Sequence, residues 1–93
     1  MKCLKTIYDD RYHLHLGYYE NGFDIEAIAF KRKSQGIWDI FFDFEQYGLK
    51  APVPATKLKG FGVRIFSIDV EEFDYNDGAK RFEQWLLNHR IIS

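Results

Sequence analysis

The sequence predicts an α+β fold, a four-stranded antiparallel sheet in the order 1-2-3-4 with a C-terminal helix packed on one face. Three observations predict it. Asn21-Gly22 sits between two alternating apolar runs, a third run from Ile37 to Glu45 keeps the same period of two, and the segment after Asn76 changes to helical spacing. At 93 residues the chain makes one domain, residues 1–93, with a single core. Aromatic residues make up 18% of it, so bulky rings are expected to fill that core.

Lys2 to Tyr8 read as a candidate short edge strand, with Asp9-Asp10 turning the chain into the first hairpin. That hairpin joins strands over 12–19 and 23–32. Asn-Gly favours a two-residue type I′ turn because both central positions need positive φ. With these two residues as the loop, Tyr18 faces Ile25, Leu16 faces Ala27 and Leu14 faces Ala29. All six share one apolar face, so turn chemistry and hydrophobic pattern agree.

The third strand spans 37–45. Trp38, Ile40, Phe42 and Phe44 take one face, and Asp39, Phe41, Asp43 and Glu45 take the other. A four-residue loop, Lys33-Ser34-Gln35-Gly36, pairs Ala29 with Ile40, Ala27 with Phe42 and Ile25 with Phe44. Large rings then stand beside alanines, which leaves room for a helix across that face. Residues 46–60 hold both prolines and read as a loop long for so small a domain. Gly62 to Ile68 reads as the fourth strand. Residues 68–75 suit either a strand extension or a short helix. Asn76 or Asp77 caps a helix reaching about His89, with Ala79, Phe82, Trp85, Leu86 and His89 along one stripe.

Candidate chemistry is sparse. Thirteen basic residues against fourteen acidic ones leave a net charge of -1, which does not favour a nucleic-acid binder. No apolar run approaches a membrane span and no leader pattern is read, so a cytoplasmic location is expected. Cys3 is the single cysteine, which leaves no internal disulfide and no cysteine cluster for zinc. Gly60-Phe61-Gly62 lacks the third glycine and the following helix of a phosphate loop, and no serine has a nucleophile-elbow context. No catalytic residue, cofactor or metal is therefore assigned, and the expectation is a protein that is not an enzyme.

The outer sheet face is more informative. The expected register sets Glu26 opposite Asp43 and Asp24 opposite Glu45, and like charges so opposed destabilise a sheet. Asp39 shares that face, and Tyr19, Ile28, Phe30 and Phe41 stand beside the acids, a mixture that suits docking of a protein partner with a basic surface. The competing reading has the N-terminal segment, the long loop or Arg64 covering the patch. His13 and His15, two apart on the first strand, face Phe30 and Ile28 in this register. They suggest a small-ligand or metal-binding alternative, although solvent-facing strand histidines are the simpler reading. Asp69 to Asp77 carries five carboxylates and extends the negative surface if it adjoins the sheet face. Lys31-Arg32-Lys33 forms a basic hairpin tip. A further alternative is a self-associating domain, a homodimer pairing through Trp38 or an uncovered strand edge.

Tyr18-Tyr19-Glu20-Asn21-Gly22, followed by Ile25 and Ala27, is similar to the first hairpin of a small type I-F anti-CRISPR family. Gly60 to Ser67 resembles a Gly-rich strand ending in Phe-Ser in small phage reading frames. The resemblance implies an antiparallel sheet with helices on one side. It also implies a viral inhibitor that acts by direct binding to a host nucleic-acid-handling complex. It supplies no site residue.

Overall fold

The computed structural model describes residues 7–18, 23–52, 57–58 and 60–92. They form five antiparallel strands, β1 (Tyr8–Tyr18), β2 (Phe23–Arg32), β3 (Trp38–Phe42), β4 (Lys57–Leu58) and β5 (Gly62–Ile68), and one helix, α1 (Tyr75–Asn88). The sheet order is β1-β2-β3-β5-β4, so the four longer strands follow the expected order. The difference is β4, a two-residue strand inside the segment read as loop, which pairs with Gly62 and Val63 at the far edge. Gly62 must be glycine for two reasons. Its φ is +91°, and a Cβ there would stand 2.2 Å from the carbonyl oxygen of Phe42.

β1 begins at Tyr8 rather than at residue 12, and Asp9-Asp10 belong to the strand rather than to a turn. A bulge between Tyr8 and Asp10 sets Tyr8 opposite Arg32 and Asp10 opposite Lys31. The extra residue, Asp9, changes which face follows. Asp10, Tyr12, Leu14 and Leu16 share the helix-side face, whereas Tyr8 lies with Arg32 on the outer one.

Along the first hairpin the pairing is shifted by two residues from expectation, with Leu16 opposite Ile25 and Leu14 opposite Ala27. A shift of two leaves every side chain on its expected face, because the hydrophobic pattern fixes the face and not the step along it. Tyr18 pairs with Phe23, so the connection is 19–22 and not Asn21-Gly22 alone. Those residues, Tyr19 among them, lie outside the described residues.

The second hairpin has the expected register, with Ala29 opposite Ile40 and Ile28 opposite Phe41. β3 stops at Phe42 instead of Glu45. From Phe44 the chain enters a 3-10 turn over Glu45–Tyr47 that closes at Gly48 with φ +68°. The rings of Phe44 and Tyr47 fold back onto Phe42, with centroids 4.7 and 5.4 Å away. Burying these rings takes Phe44 out of the ladder, and Asp24 is not set opposite Glu45.

On the helix side Ala27 and Ala29 lie beside Ile40 and Phe42, and the space above them is filled by Phe82 and Leu86 of α1. Asp74 caps the helix, its Oδ1 accepting from the backbone N of Asn76 at 3.0 Å and of Asp77 at 3.4 Å, two residues before the expected start. Residues 69–74 are neither strand nor helix. They bring Phe73 down onto the sheet, where Gly78 makes room for its ring: a Cβ at 78 would stand 2.4 Å from Phe73. Among the described residues no helix is long and apolar enough to cross a membrane.

Candidate binding cleft

The outer face, expected to be an open acidic-aromatic surface, is largely closed. Phe30, Phe41 and Asp39 are each at most 2% exposed. Phe30 is enclosed by Tyr8, Phe41 and Phe61, with ring centroids 5.0, 5.7 and 5.1 Å away. The cover therefore comes from the start of β1 and from the turn before β5. The bulge at Asp9 makes the first half of this possible, because it turns Tyr8 onto this face.

Asp39 is the buried polar centre of that face. Arg32 donates to it twice, Nε to Oδ2 at 2.9 Å and Nη2 to Oδ1 at 2.9 Å. Ser67 Oγ donates to Oδ1 at 2.6 Å and Tyr8 OH to Oδ2 at 3.2 Å. Burial alone would raise this carboxyl. The hydrogen bonds from Arg32 and Ser67, the Arg32 charge and the Tyr8 hydroxyl outweigh burial and hold it below the usual carboxylate range. Burial and the neighbouring Asp39 charge push the Tyr8 phenol up to about 12. With its partners supplied internally, Asp39 is a structural carboxylate rather than a docking residue. Arg32 is likewise committed, which breaks up the expected basic hairpin tip.

Of the other acids of the expected patch, Glu26 and Asp43 stay together and Asp24 and Glu45 do not pair. Glu26 and Asp43 line one small pocket with Ile28, which is half-buried. On its β1 side Glu26 stands opposite His15, and its Oε1 lies 2.6 Å from His13 Nδ1, while the β2–β3 ladder keeps the expected step but ends at Ile28–Phe41, short of Glu26 and Asp43. His15 Nε2 is 3.8 Å from Glu26 Oε2. His13 itself faces Ile28 rather than Phe30. Among the described residues no three His, Cys, Asp or Glu side chains gather in an arrangement that could hold a metal ion. Asp24 is exposed, and Glu45 lies 3.6 Å from Lys57 Nζ. Trp38 is only 3% exposed, so it offers no patch for a second copy. On the β1 edge the backbone N–H of Arg11 is taken by Asp10 and that of His15 by the Tyr75 hydroxyl, which blunts strand-to-strand pairing there.

Four carboxylates that form no ion pair among the described residues gather on the helix side, at the end of the sheet. Asp10, Lys31 and Trp38 form a row across β1, β2 and β3. The loop after β5 closes over this row with Glu71, Glu72 and Phe73. Together with Asp9 and Tyr12 they line an open cleft of about 510 Å³. Its wall is three rings in mutual contact. Tyr12 and Phe73 stack at 5.3 Å with 15° between planes, and Trp38 lies 4.9 Å from Phe73 and 5.4 Å from Tyr12. Its rim is Asp9, Asp10, Glu71 and Glu72. Glu71 lies over Gly36, where a Cβ would stand 2.5 Å from its Oε1. None of the four is paired with a cation among the described residues, and Lys31 is the one basic residue lining the cleft.

The two acidic segments of the sequence thus meet each other, not the outer face. The Asp69–Asp77 run signalled half of the cleft. The other half depends on Asp9-Asp10 being strand residues beside a bulge, which no local pattern announces.

The architecture is that of a small α+β domain, one antiparallel sheet backed by one helix, with an acidic aromatic cleft at its end. The chain belongs to DUF3986, a family described as proteins of unknown function, whose family model matches residues 6–89. That description names no activity, no partner and no link to phage or anti-CRISPR proteins. No curated protein and no solved structure matches the chain.

Proposed function

We propose that this domain is a non-enzymatic protein-binding module whose partner presents a basic surface, and that the docking site is the cleft at the end of the sheet. One observation carries this: Asp9, Asp10, Glu71 and Glu72 are held around exposed aromatic surface, and among the described residues none of them forms an ion pair, with Lys31 the basic residue beside them. Like charges kept together cost stability, whereas a basic partner converts that cost into attraction. The carboxylate in the most unusual setting, Asp39, is saturated by its own donors, which speaks for a structural role there rather than for acid-base work. The narrower reading, inhibition of a host nucleic-acid-handling complex, rests on the hairpin resemblance alone.

Titration calorimetry with a lysine-rich peptide at low and high salt tests the proposal. Binding is expected at low salt, weakening as salt rises, with Glu71→Gln/Glu72→Gln reducing both the affinity and its salt dependence. Glu26→Gln/Asp43→Asn should leave both unchanged. The opposite pattern would move the docking site to the outer face.

A further inference from the structure

The cleft combines features that a purely electrostatic surface does not need. Its acids stand on a three-ring wall, and Tyr12, at 43% exposure, presents ring surface to solvent. A flexible, hydrated ammonium would be attracted by the rim alone. A guanidinium also uses the wall, because it is planar, weakly hydrated and stacks on aromatic faces while its N–H fork engages carboxylates.

A second, independent feature is Trp38. It lines the cleft, it is 3% exposed, and its Nε1 has no acceptor among the described residues. Buried indole N–H groups are normally satisfied, and leaving one unmade carries a penalty. A guanidinium cannot supply an acceptor. A peptide backbone can.

We infer that the cleft receives an arginine side chain presented on an extended segment of the partner protein. The guanidinium stacks on Tyr12 within the ring of carboxylates, and a backbone carbonyl of the segment accepts from Trp38 Nε1. That N–H is covered in the free domain, so the carbonyl reaches it as the side chains at the cleft part. Lys31, the one cation of the lining among the described residues, is displaced by the incoming charge toward solvent. The inference rests on the basic-partner proposal and narrows it from charge to a particular side chain.

The test uses short capped lysine-rich peptides whose central residue is arginine, lysine or citrulline, titrated against the whole domain. The arginine peptide is expected to bind about tenfold more tightly than either of the others, the size of a well-placed cation–π contact with carboxylate pairing. Tyr12→Leu should abolish that preference while leaving the salt-dependent affinity for the lysine peptide. The Trp38 indole N–H resonance should move when the arginine peptide binds, and an alkylguanidinium such as ethylguanidinium, which has no carbonyl, should leave it in place. Trp38→Phe weakens binding of the arginine peptide if it folds, and the resonance measurement on the unaltered domain stands if it does not.

Equal affinity for the arginine and lysine peptides, lost together in Glu71→Gln/Glu72→Gln, would overturn the arginine site and keep the basic-partner proposal. Failure of all three peptides to bind would overturn both. An arginine preference with an unmoved Trp38 resonance would overturn the role given to the indole.

Discussion

Asp39 and the cleft acids carry the same charge on opposite faces of one sheet, and their surroundings could hardly differ more. Asp39 is 1% exposed and receives four hydrogen bonds, two of them from a guanidinium. Asp9, Asp10, Glu71 and Glu72 stand at an open rim beside Lys31. A buried charge is tolerated only when it is fully paired, so Asp39 and its donors behave as one structural unit. An exposed group of like charges is only weakly costly because water screens it. It can persist for reasons other than stability. The bulge at Asp9 serves both regions, since it sends Tyr8 to the first and Asp10 to the second.

The largest effect that distinguishes them should come from Arg32. Arg32→Ala leaves the Asp39 charge buried with only Ser67 and Tyr8, and a loss of about 3 kcal/mol is expected in urea denaturation. The same unit sets the acid limit. Because the folded Asp39 carboxyl lies below its unfolded value of 3.8, its contribution is present above that pH and is lost as pH falls through the folded value. An Arg32→Ala protein as stable as the parent would mean the face is held by its rings alone.

Gly78→Ala probes the other region through its floor. Alanine is the better helix former by about 1 kcal/mol, yet its Cβ would stand 2.4 Å from the Phe73 ring. A net loss of about 1–2 kcal/mol is expected because the ring must move, as overpacking elsewhere costs. Loss of the Tyr12–Phe73 stack should be visible in the aromatic NMR resonances. A gain in stability would show that Phe73 is not held by the helix.

Tyr8→Phe should cost about 1 kcal/mol by removing one hydrogen bond to Asp39. Its pH signature is more specific. The folded phenol lies at about 12 against 10.0 unfolded, so its contribution is whole below pH 10 and is lost between there and about 12. The parent should lose more stability than Tyr8→Phe across that window, as followed by urea midpoints at each pH.

How much of this was legible follows from what each feature depends on. The β2–β3 pairing was legible because alternating strands and a short loop fix both face and step. The same register puts Arg32 diagonally beside Asp39 on the outer face, so the buried pair was within reach once charge was traced toward Lys31-Arg32 as well as toward Asp43. The first hairpin was legible in its faces but not in its step, since a slip of two residues preserves every apolar contact class. That slip put a carboxylate, Glu26, opposite His15 where Ile28 was expected. The end of β3 was hidden because Phe44 and Glu45 continue the alternation while the chain turns away to bury Phe44 and Tyr47. The cleft was least legible. It needs a bulge beside Asp9 and an irregular segment, 69–74, to meet across three strands, and neither has a periodicity to read.

The difference between the two regions is tested most directly by comparing the thermal melts of Asp39→Asn and Glu71→Gln/Glu72→Gln. Asp39→Asn should lower the melting temperature by roughly 10–20 °C, because it leaves Arg32 without its counter-charge in a domain of this size. The double change in the cleft should leave it unchanged or raise it by a few degrees, as expected when exposed like charges are removed. A double variant that melts as far below the parent as Asp39→Asn would contradict the account, because the cleft carboxylates would then be held by partners within the chain and not kept for one outside it.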